Sequence, residues 1–338
     1  WNGLHNVNPQ AQSFSKHYIP ELDVNMYNLI SGIVDDPHDL NKVWMTANGT
    51  GVIEWDKKAE KIKKYYFKDF VKPRDFNYEK RWPHHIYKDK NDVLWISSYG
   101  GFAKIKNGEV SFVDTWVDGN ATYANDSYQD NEGILWLAGR HLIRFDPFTE
   151  EYQAFYFPDG YGYDMFKDNF NAVTDFTPQK LFVGTSLGLF LFDKNSYKFK
   201  QLPLQYDKVD GKVLNNIRAI QGMGDKLYIG TYVGLYCLHP LSGKLEKLVD
   251  GFVEVKSMMP DKQGFLWVFT SNGFYKINPK DQSWQRFDQN DGIYTLSTDP
   301  VTLFFYNEQM NLGHRSLFTS FDPKKLGQNN NVPVVYIT

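Results

Sequence analysis

Residues 130–152 read DNEGILWLAGRHLIRFDPFTEEY. A polar turn with Gly133 leads into Trp136 flanked by aliphatics, a second apolar run follows, then an Asp-Pro turn and a closing aromatic. Apolar runs of this length bounded by turn residues are strand-sized, and two of them joined by a short turn form an antiparallel hairpin.

The arrangement recurs as NKVWMTANGTGVIEWD, NDVLWISSYGGFAKIKN, QKLFVGTSLGLFLFD, DKLYIGTYVGLYCLHP, QGFLWVFTSNGFYKINP and, degenerately, EQMNLGHRSLFTSFDP. The anchors are Trp44, Trp95, Trp136, Phe182, Tyr228, Trp267 and Asn311, at intervals of 51, 41, 46, 46, 39 and 44 residues. A period near 40–50 residues is that of propeller blades. Each copy predicts a four-stranded antiparallel unit, its strands lettered a to d in chain order. Strand b is apolar on successive residues, as in Leu94, Trp95 and Ile96, so it needs partners on both faces, and neighbouring blades provide them. Strand d alternates and is Lys-rich, as suits an outer edge that must resist pairing with other chains. A glycine before strand c (Gly51, Gly101, Gly188, Gly234, Gly273) fits a turn that demands unusual φ.

The fold class expected is therefore all-β: a seven-bladed β-propeller of four-stranded antiparallel blades, with eight as the alternative count. The opening residues match strands c and d without a and b, and the last copy lacks strand d. Residues 13–19 can fill that gap. We expect residues 1–12 to be the remnant of a preceding repeat, 13–325 the propeller closed by its N-terminal strand, and 326–338 a linker toward a downstream β-sandwich.

Composition narrows the function. With 37 Lys+Arg against 40 Asp+Glu the formal charge is -3, too weakly patterned to neutralise nucleic-acid phosphates, so no nucleic-acid partner is expected. No apolar run approaches the roughly 18 residues of a membrane span. The lone cysteine, Cys237, lies in an apolar run and reads as a core residue. No H-E-x-x-H, P-loop, G-x-S-x-G or C-x-x-C occurs, and we expect neither a catalytic residue nor a metal or other cofactor. Asp35 and Asp36 read as turn caps. His141 beside Arg140 and His314 beside Arg315 resemble the polar pairs of a propeller lyase or esterase, without an identifiable third partner.

Copies such as DNEGILWLAGRHLIRFDP and DKQGFLWVFTSNGFYKINP resemble the two-component regulator propeller repeat, D-x-x-G-x-L-W-I-G-T-x-x-G-L-x-x-Y-D-P, over nearly the whole chain. Within that family the likeness is to the periplasmic sensor region of hybrid two-component systems (histidine kinase/response regulator) of Bacteroidetes-type bacteria. That resemblance implies a non-catalytic, extracytoplasmic sensor module of an inner-membrane protein. It also implies adjoining propeller and β-sandwich domains in the same chain, and a homodimer of the full-length protein. The sequence departs from the pattern where RHL replaces the usual glycine at His141 and where Asn311 replaces the aromatic anchor.

Length variation concentrates in the d–a connections, which share a rim with the b–c turns. Loops freed from repeat constraints on a rigid ring are where recognition concentrates. Counting four residues on from each anchor sets Tyr99, Arg140, Tyr232 and Arg315 around the expected central opening. Strand a begins nearby, with His84, Asn125, Asn171 and Arg218, and Trp82 lies in the preceding loop. Rings that stack on sugars, with Asn and Arg for hydroxyls and carboxylates, suit an oligosaccharide, and the arginines hint at an acidic one. The ligand-binding candidates are thus Tyr99, Arg140, His141, Tyr232, Arg315, His84, Arg218 and Trp82. A propeller-fold polysaccharide lyase or hydrolase is the first alternative function, and a protein-interaction scaffold the second.

Overall fold

The structure, a computed structural model, describes residues 14–19, 29–47, 51–66, 85–98, 100–157, 169–204, 216–249, 254–288, 291–293, 302–314 and 317–326. Among them there is no α-helix, and seven four-stranded antiparallel sheets account for nearly every strand. Blade 1 consists of Ile30–Asp35, Lys42–Ala47, Gly51–Asp56 and Lys61–Tyr65, running outward in chain order. Blades 2 to 6 repeat that order, beginning at Ile86–Lys88, Ala124–Gln129, Phe170–Thr177, Ile217–Met223 and Val255–Pro260. Blade 7 takes its first three strands from Thr302–Tyr306, Gln309–His314 and Leu317–Phe321. Its outermost strand is Phe14–Tyr18, paired from Phe14 with Phe321 to Tyr18 with Leu317. Contacts run from each blade to the next, including blade 7 to blade 1, so the wedges meet in a closed ring. Residues 1–13 and 327–338 lie outside the described residues, while Leu326 is buried in the core between blades 6 and 7.

Each strand b is buried on both faces because the core lies between blades. Trp95 and Phe102 of blade 2 pack against Leu135, Ile143 and Phe145 of blade 3, and Trp136 packs against Phe192 of the blade after. Removing about 200 Å² of aromatic surface from water is worth on the order of 5 kcal/mol per ring.

A recurrent carboxylate completes each of the four anchor tryptophans. Asp36 accepts from the Trp44 indole at 2.6 Å, Asp89 from Trp95 at 3.0 Å, Asp130 from Trp136 at 2.9 Å and Asp261 from Trp267 at 2.8 Å. The second oxygen of each carboxylate caps the a–b turn through two backbone amides, as Asp261 does for Gln263 and Phe265. A buried indole N–H needs an acceptor, and a tight turn leaves amides to satisfy, so one aspartate serves both. Where the anchor has no indole the position changes too: six residues before Phe182 and Tyr228 stand Phe176 and Gly222. Asn311 in blade 7 donates instead to the backbone carbonyl of Gln309 at 3.0 Å.

Lysines tie blade to blade at the same level. Lys194 of blade 4 reaches Asp130 of blade 3 at 2.7 Å and lies 5.4 Å from the centre of the Trp136 ring. Lys276 of blade 6 lies 5.2 Å from the Trp267 ring and donates to the carbonyls of Pro323 and Leu326, each at 3.1 Å. At Gly101, φ is +146° and a Cβ would fall 2.0 Å from the Val113 carbonyl, so the turn into strand c admits only glycine. Blade 3 has Leu142 at that place and turns differently, with the Gly139 amide bonded to the His141 carbonyl at 3.1 Å.

Candidate functional site

The seven inner strands enclose a central channel of about 580 Å³. Its shape follows from a repeated irregularity. In blades 1, 3, 4, 5 and 6 the register slips by one residue near the start of strand a, between Ile30 and Gly32, Ala124 and Asp126, Phe170 and Ala172, Ile217 and Ala219, and Val255 and Ser257. Bulges re-aim side chains. The extra residues, Ser31, Asn125, Asn171, Arg218 and Lys256, all line the channel near the rim that carries the d–a connections.

Two of these amides form a ladder across blades. Asn125 donates to the Phe170 carbonyl at 3.1 Å, and Asn171 donates to the Ile217 carbonyl at 2.9 Å. Arg218, next in sequence around the ring, is exposed and lies 4.9 Å from the centre of the Tyr232 ring. Among the described residues Arg218 makes no ion pair. An exposed guanidinium over a phenol face leaves its edge donors available to an anion.

Deeper in the channel is a polar cluster from blades 2 and 3. His85 Nδ1 lies 2.8 Å from the Ser127 hydroxyl, 3.3 Å from the Tyr87 hydroxyl and 3.7 Å from Asp126 Oδ1. Tyr87 also donates to Ser127, and Asp126 Oδ2 accepts from the Val173 amide at 3.0 Å. Burial raises the Asp126 carboxyl above its ordinary range, against the opposing pull of His85 and the Val173 amide. Burial, reinforced by Asp126, also pushes the Tyr87 phenol well up. Serine, histidine and aspartate are therefore adjacent, but a proton relay needs one ring nitrogen for the hydroxyl and the other for the carboxylate. Here Nδ1 meets all three groups, so the cluster does not form a Ser-His-Asp relay.

The sequence candidates divide into separate groups. Tyr99, Trp82, His84 and Arg315 lie outside the described residues. Arg218 and Tyr232 come together at the channel mouth. Arg140 and His141 stand at the blade 3 turn, where the Arg140 guanidinium is 5.9 Å from the centre of the Tyr123 ring and the His141 ring meets Tyr156 edge-on at 4.8 Å. Tyr156 donates to Asp118 at 2.8 Å, and Tyr123 donates to Asn169. Burial and the neighbouring Arg140 lower the His141 pKa. The described b–c turn residues Arg140, Ser186, Tyr232 and Ser271 are not part of the channel wall, which the inner strands form. His314 is 3 % exposed, and burial first, then Lys16, lowers its pKa to about 4. It is a neutral core imidazole, out of reach of a substrate at the rim.

Sequence reasoning missed Ser31, Lys256 and the His85–Asp126 cluster. The available signal was the position ten to thirteen residues before each anchor, where a polar residue interrupts an otherwise apolar strand start. Among the described residues no group of three or more His, Cys, Asp or Glu is placed to hold a metal ion.

No family model matches the chain. Over 271 residues, 73 % of the chain, it is 20 % identical to histidine kinase P4 of Formosa agariphila, of which the match spans 19 %. Its fold is similar to the extracellular domain of a hybrid two-component system of B. thetaiotaomicron (TM-score 0.67, 13 % identity), covering 96 % of this chain and 46 % of that one. It is also similar to a catalytically inactive variant of virginiamycin B lyase from Staphylococcus aureus (TM-score 0.64, 12 % identity), covering 91 % of this chain and 98 % of that one. The chain thus spans about a fifth of the kinase and less than half of the two-component structure, and these likenesses bear on the seven-bladed fold.

Proposed function

We propose that this chain is a ligand-binding propeller of an extracytoplasmic two-component sensor, non-catalytic in itself, and that its ligand is an oligosaccharide held at the rim carrying Arg218, Tyr232, Arg140 and His141. The observation that carries the reading is Arg218 over Tyr232 at the channel mouth, an exposed cation on an aromatic platform without a carboxylate partner among the described residues. Such a pair offers one face for stacking and a fork of donors for hydroxyls or a carboxylate. The partial match to a histidine kinase supports the signalling context. Adjoining propeller and β-sandwich domains, a homodimeric parent and a periplasmic location belong to the same proposal. Signalling then requires the ligand to favour one arrangement of this propeller against its neighbours over another, since only differential affinity shifts an equilibrium.

The lyase reading has the S. aureus likeness in its favour. Its chemistry is weaker here, because His85, Asp126 and Ser127 converge on one nitrogen and His314 is buried. The test is calorimetric titration of the chain with neutral and acidic oligosaccharides, repeated with Tyr232→Ala and Arg140→Ala. Binding without turnover, weakened at least tenfold by Tyr232→Ala, is the expected outcome. Degradation of any of them that His141→Ala abolishes would overturn the non-catalytic reading.

A further inference from the structure

We infer that the channel mouth is a carboxylate subsite, and that it takes a polyhydroxylated monocarboxylate such as a uronic acid, with the acid group between Arg218 and Lys256. The inference deepens the proposed function and rests on the chain being a ligand-binding module.

Arg218 and Lys256 occupy the same bulge position in the adjacent inner strands of blades 5 and 6. Both line the channel, so two cations flank one stretch of its wall at one level. Next around the ring, at the same level, blades 4 and 3 present Asn171 and Asn125. The side-chain nitrogens of these amides donate to the backbone carbonyls of Phe170 and Ile217, and Asn125 Nδ2 also lies 3.5 Å from Asn171 Oδ1, so the amides are fixed with their oxygens oriented as acceptors, each with two lone pairs. A ligand lying along this arc of the wall meets positive charge at blades 5 and 6 and neutral acceptors at blades 3 and 4. That pattern orients a carboxylate toward blades 5 and 6, with hydroxyls toward blades 3 and 4.

The wall also limits how much negative charge enters. Asp126 follows Asn125 directly, and Asp175 lies four residues beyond Asn171, about 13 Å further along the channel at ~3.3 Å per residue. Both carboxylates line it. A polyanion threaded through would meet both, whereas one acidic group stopping at the mouth does not reach Asp175. Met259 and Phe305, half-buried on blades 6 and 7, add an apolar flank, suited to the C–H face of a pyranose. The volume, about 580 Å³, lies within the usual range for small-molecule sites.

Saturation-transfer NMR and calorimetry on the chain test this, using glucuronate, galacturonate and mannuronate, each against its parent hexose. At least one uronate is expected to bind ten times or more tighter than its hexose, and Arg218→Gln and Lys256→Gln are each expected to weaken it about tenfold while leaving the hexose unchanged. Arg286→Gln, on the outermost strand of blade 6 (Trp284–Phe287) and away from the channel, is expected to leave uronate binding intact. Arg218 is exposed, so a melting curve equal to that of the unaltered chain shows that its replacement acts on binding. Equal affinity for acid and hexose, retention of uronate binding in both variants, or no binding of any uronate overturns the inference. If uronates fail while oligosaccharides bind and Tyr232→Ala weakens them, the channel subsite falls and the sensor reading stands. If no saccharide of any length binds, both fall.

Discussion

Replacing Asp130 tests the account of how blades are held together. Asp130 is 9 % exposed, and its carboxylate accepts four bonds: from the amides of Glu132 and Ile134 at 3.1 and 3.0 Å, the Trp136 indole at 2.9 Å and Lys194 of the next blade at 2.7 Å. Hydrogen bonds to a charged group contribute about 1.5–3 kcal/mol each, and removing one partner of a buried ion pair costs about 3–5 kcal/mol because the other charge is stranded. The bonds share one group and are not additive, so Asp130→Ala should cost about 3–5 kcal/mol. Asp261 makes the same turn and indole bonds, but the Lys276 amine goes to backbone carbonyls instead. Asp261→Ala should therefore cost less, about 2–3 kcal/mol. Urea unfolding followed by intrinsic fluorescence, with midpoint and slope fitted together, reads both. A pH series adds an independent signature. Burial pushes the Asp130 pKa up, but the Lys194 and Trp136 bonds outweigh it, and the folded value lies below the ordinary 3.8. The unfolded chain then holds more protons as pH falls below about 4, so this contribution is complete above that pH and is lost on acidification through the folded pKa. Asp130→Asn should flatten that part of the profile. A change under about 1 kcal/mol for Asp130→Ala, or an unaltered acid limb in Asp130→Asn, would refute the role given to this carboxylate.

Three further outcomes follow from other parts of the ring. Gly313→Ala would place a Cβ 1.7 Å from the Ile30 carbonyl of the adjoining blade, and should lower stability by about 3 kcal/mol or more, read as a urea midpoint shift. Deleting residues 14–19 bares the edge of Leu317–Phe321 and should yield higher oligomers by light scattering; a monomer of unchanged stability would contradict this. His314, held neutral with a pKa of about 4 against an ordinary 6.5, prefers its uncharged form when folded. Stability should then fall by up to roughly 3 kcal/mol as pH drops from 6.5 to 4, and the fall should be absent in His314→Phe.

The seven blades were legible in the sequence because an inter-blade core imposes the same demand seven times. Trp44, Trp95, Trp136 and Trp267 repeat because a buried strand b needs a large ring against the neighbouring wedge, and strong demands leave a periodic trace. The glycines at 101, 188, 234 and 273 were legible for the same reason. The channel was not. Its wall includes bulged positions that share polarity and direction but no one residue type, as Ser31, Asn125, Asn171, Arg218 and Lys256 show. Arg218 was found from its place at the start of a strand, while Lys256, at the same place one blade on in VKSMMP, was not singled out. The aspartate's double duty was visible as spacing, since Asp89, Asp130 and Asp261 each stand six residues before a tryptophan. That an indole hydrogen bond fixes the spacing became clear only in three dimensions.

Pairing Phe14–Tyr18 with Leu317–Phe321 joins segments about 300 residues apart, with His17 bonded to Ser320 at 2.6 Å. During synthesis the first of these strands leaves the ribosome long before its partner exists. Six wedges can be laid down in order from local hairpins, each docking on the one before, while an unmated ribbon at the front waits for the final one. Contacts so distant along the chain slow folding, and the waiting ribbon is open to capture by another nascent chain in the interval. The latch that makes the finished ring hard to open thus sets the slowest and most exposed moment of its assembly.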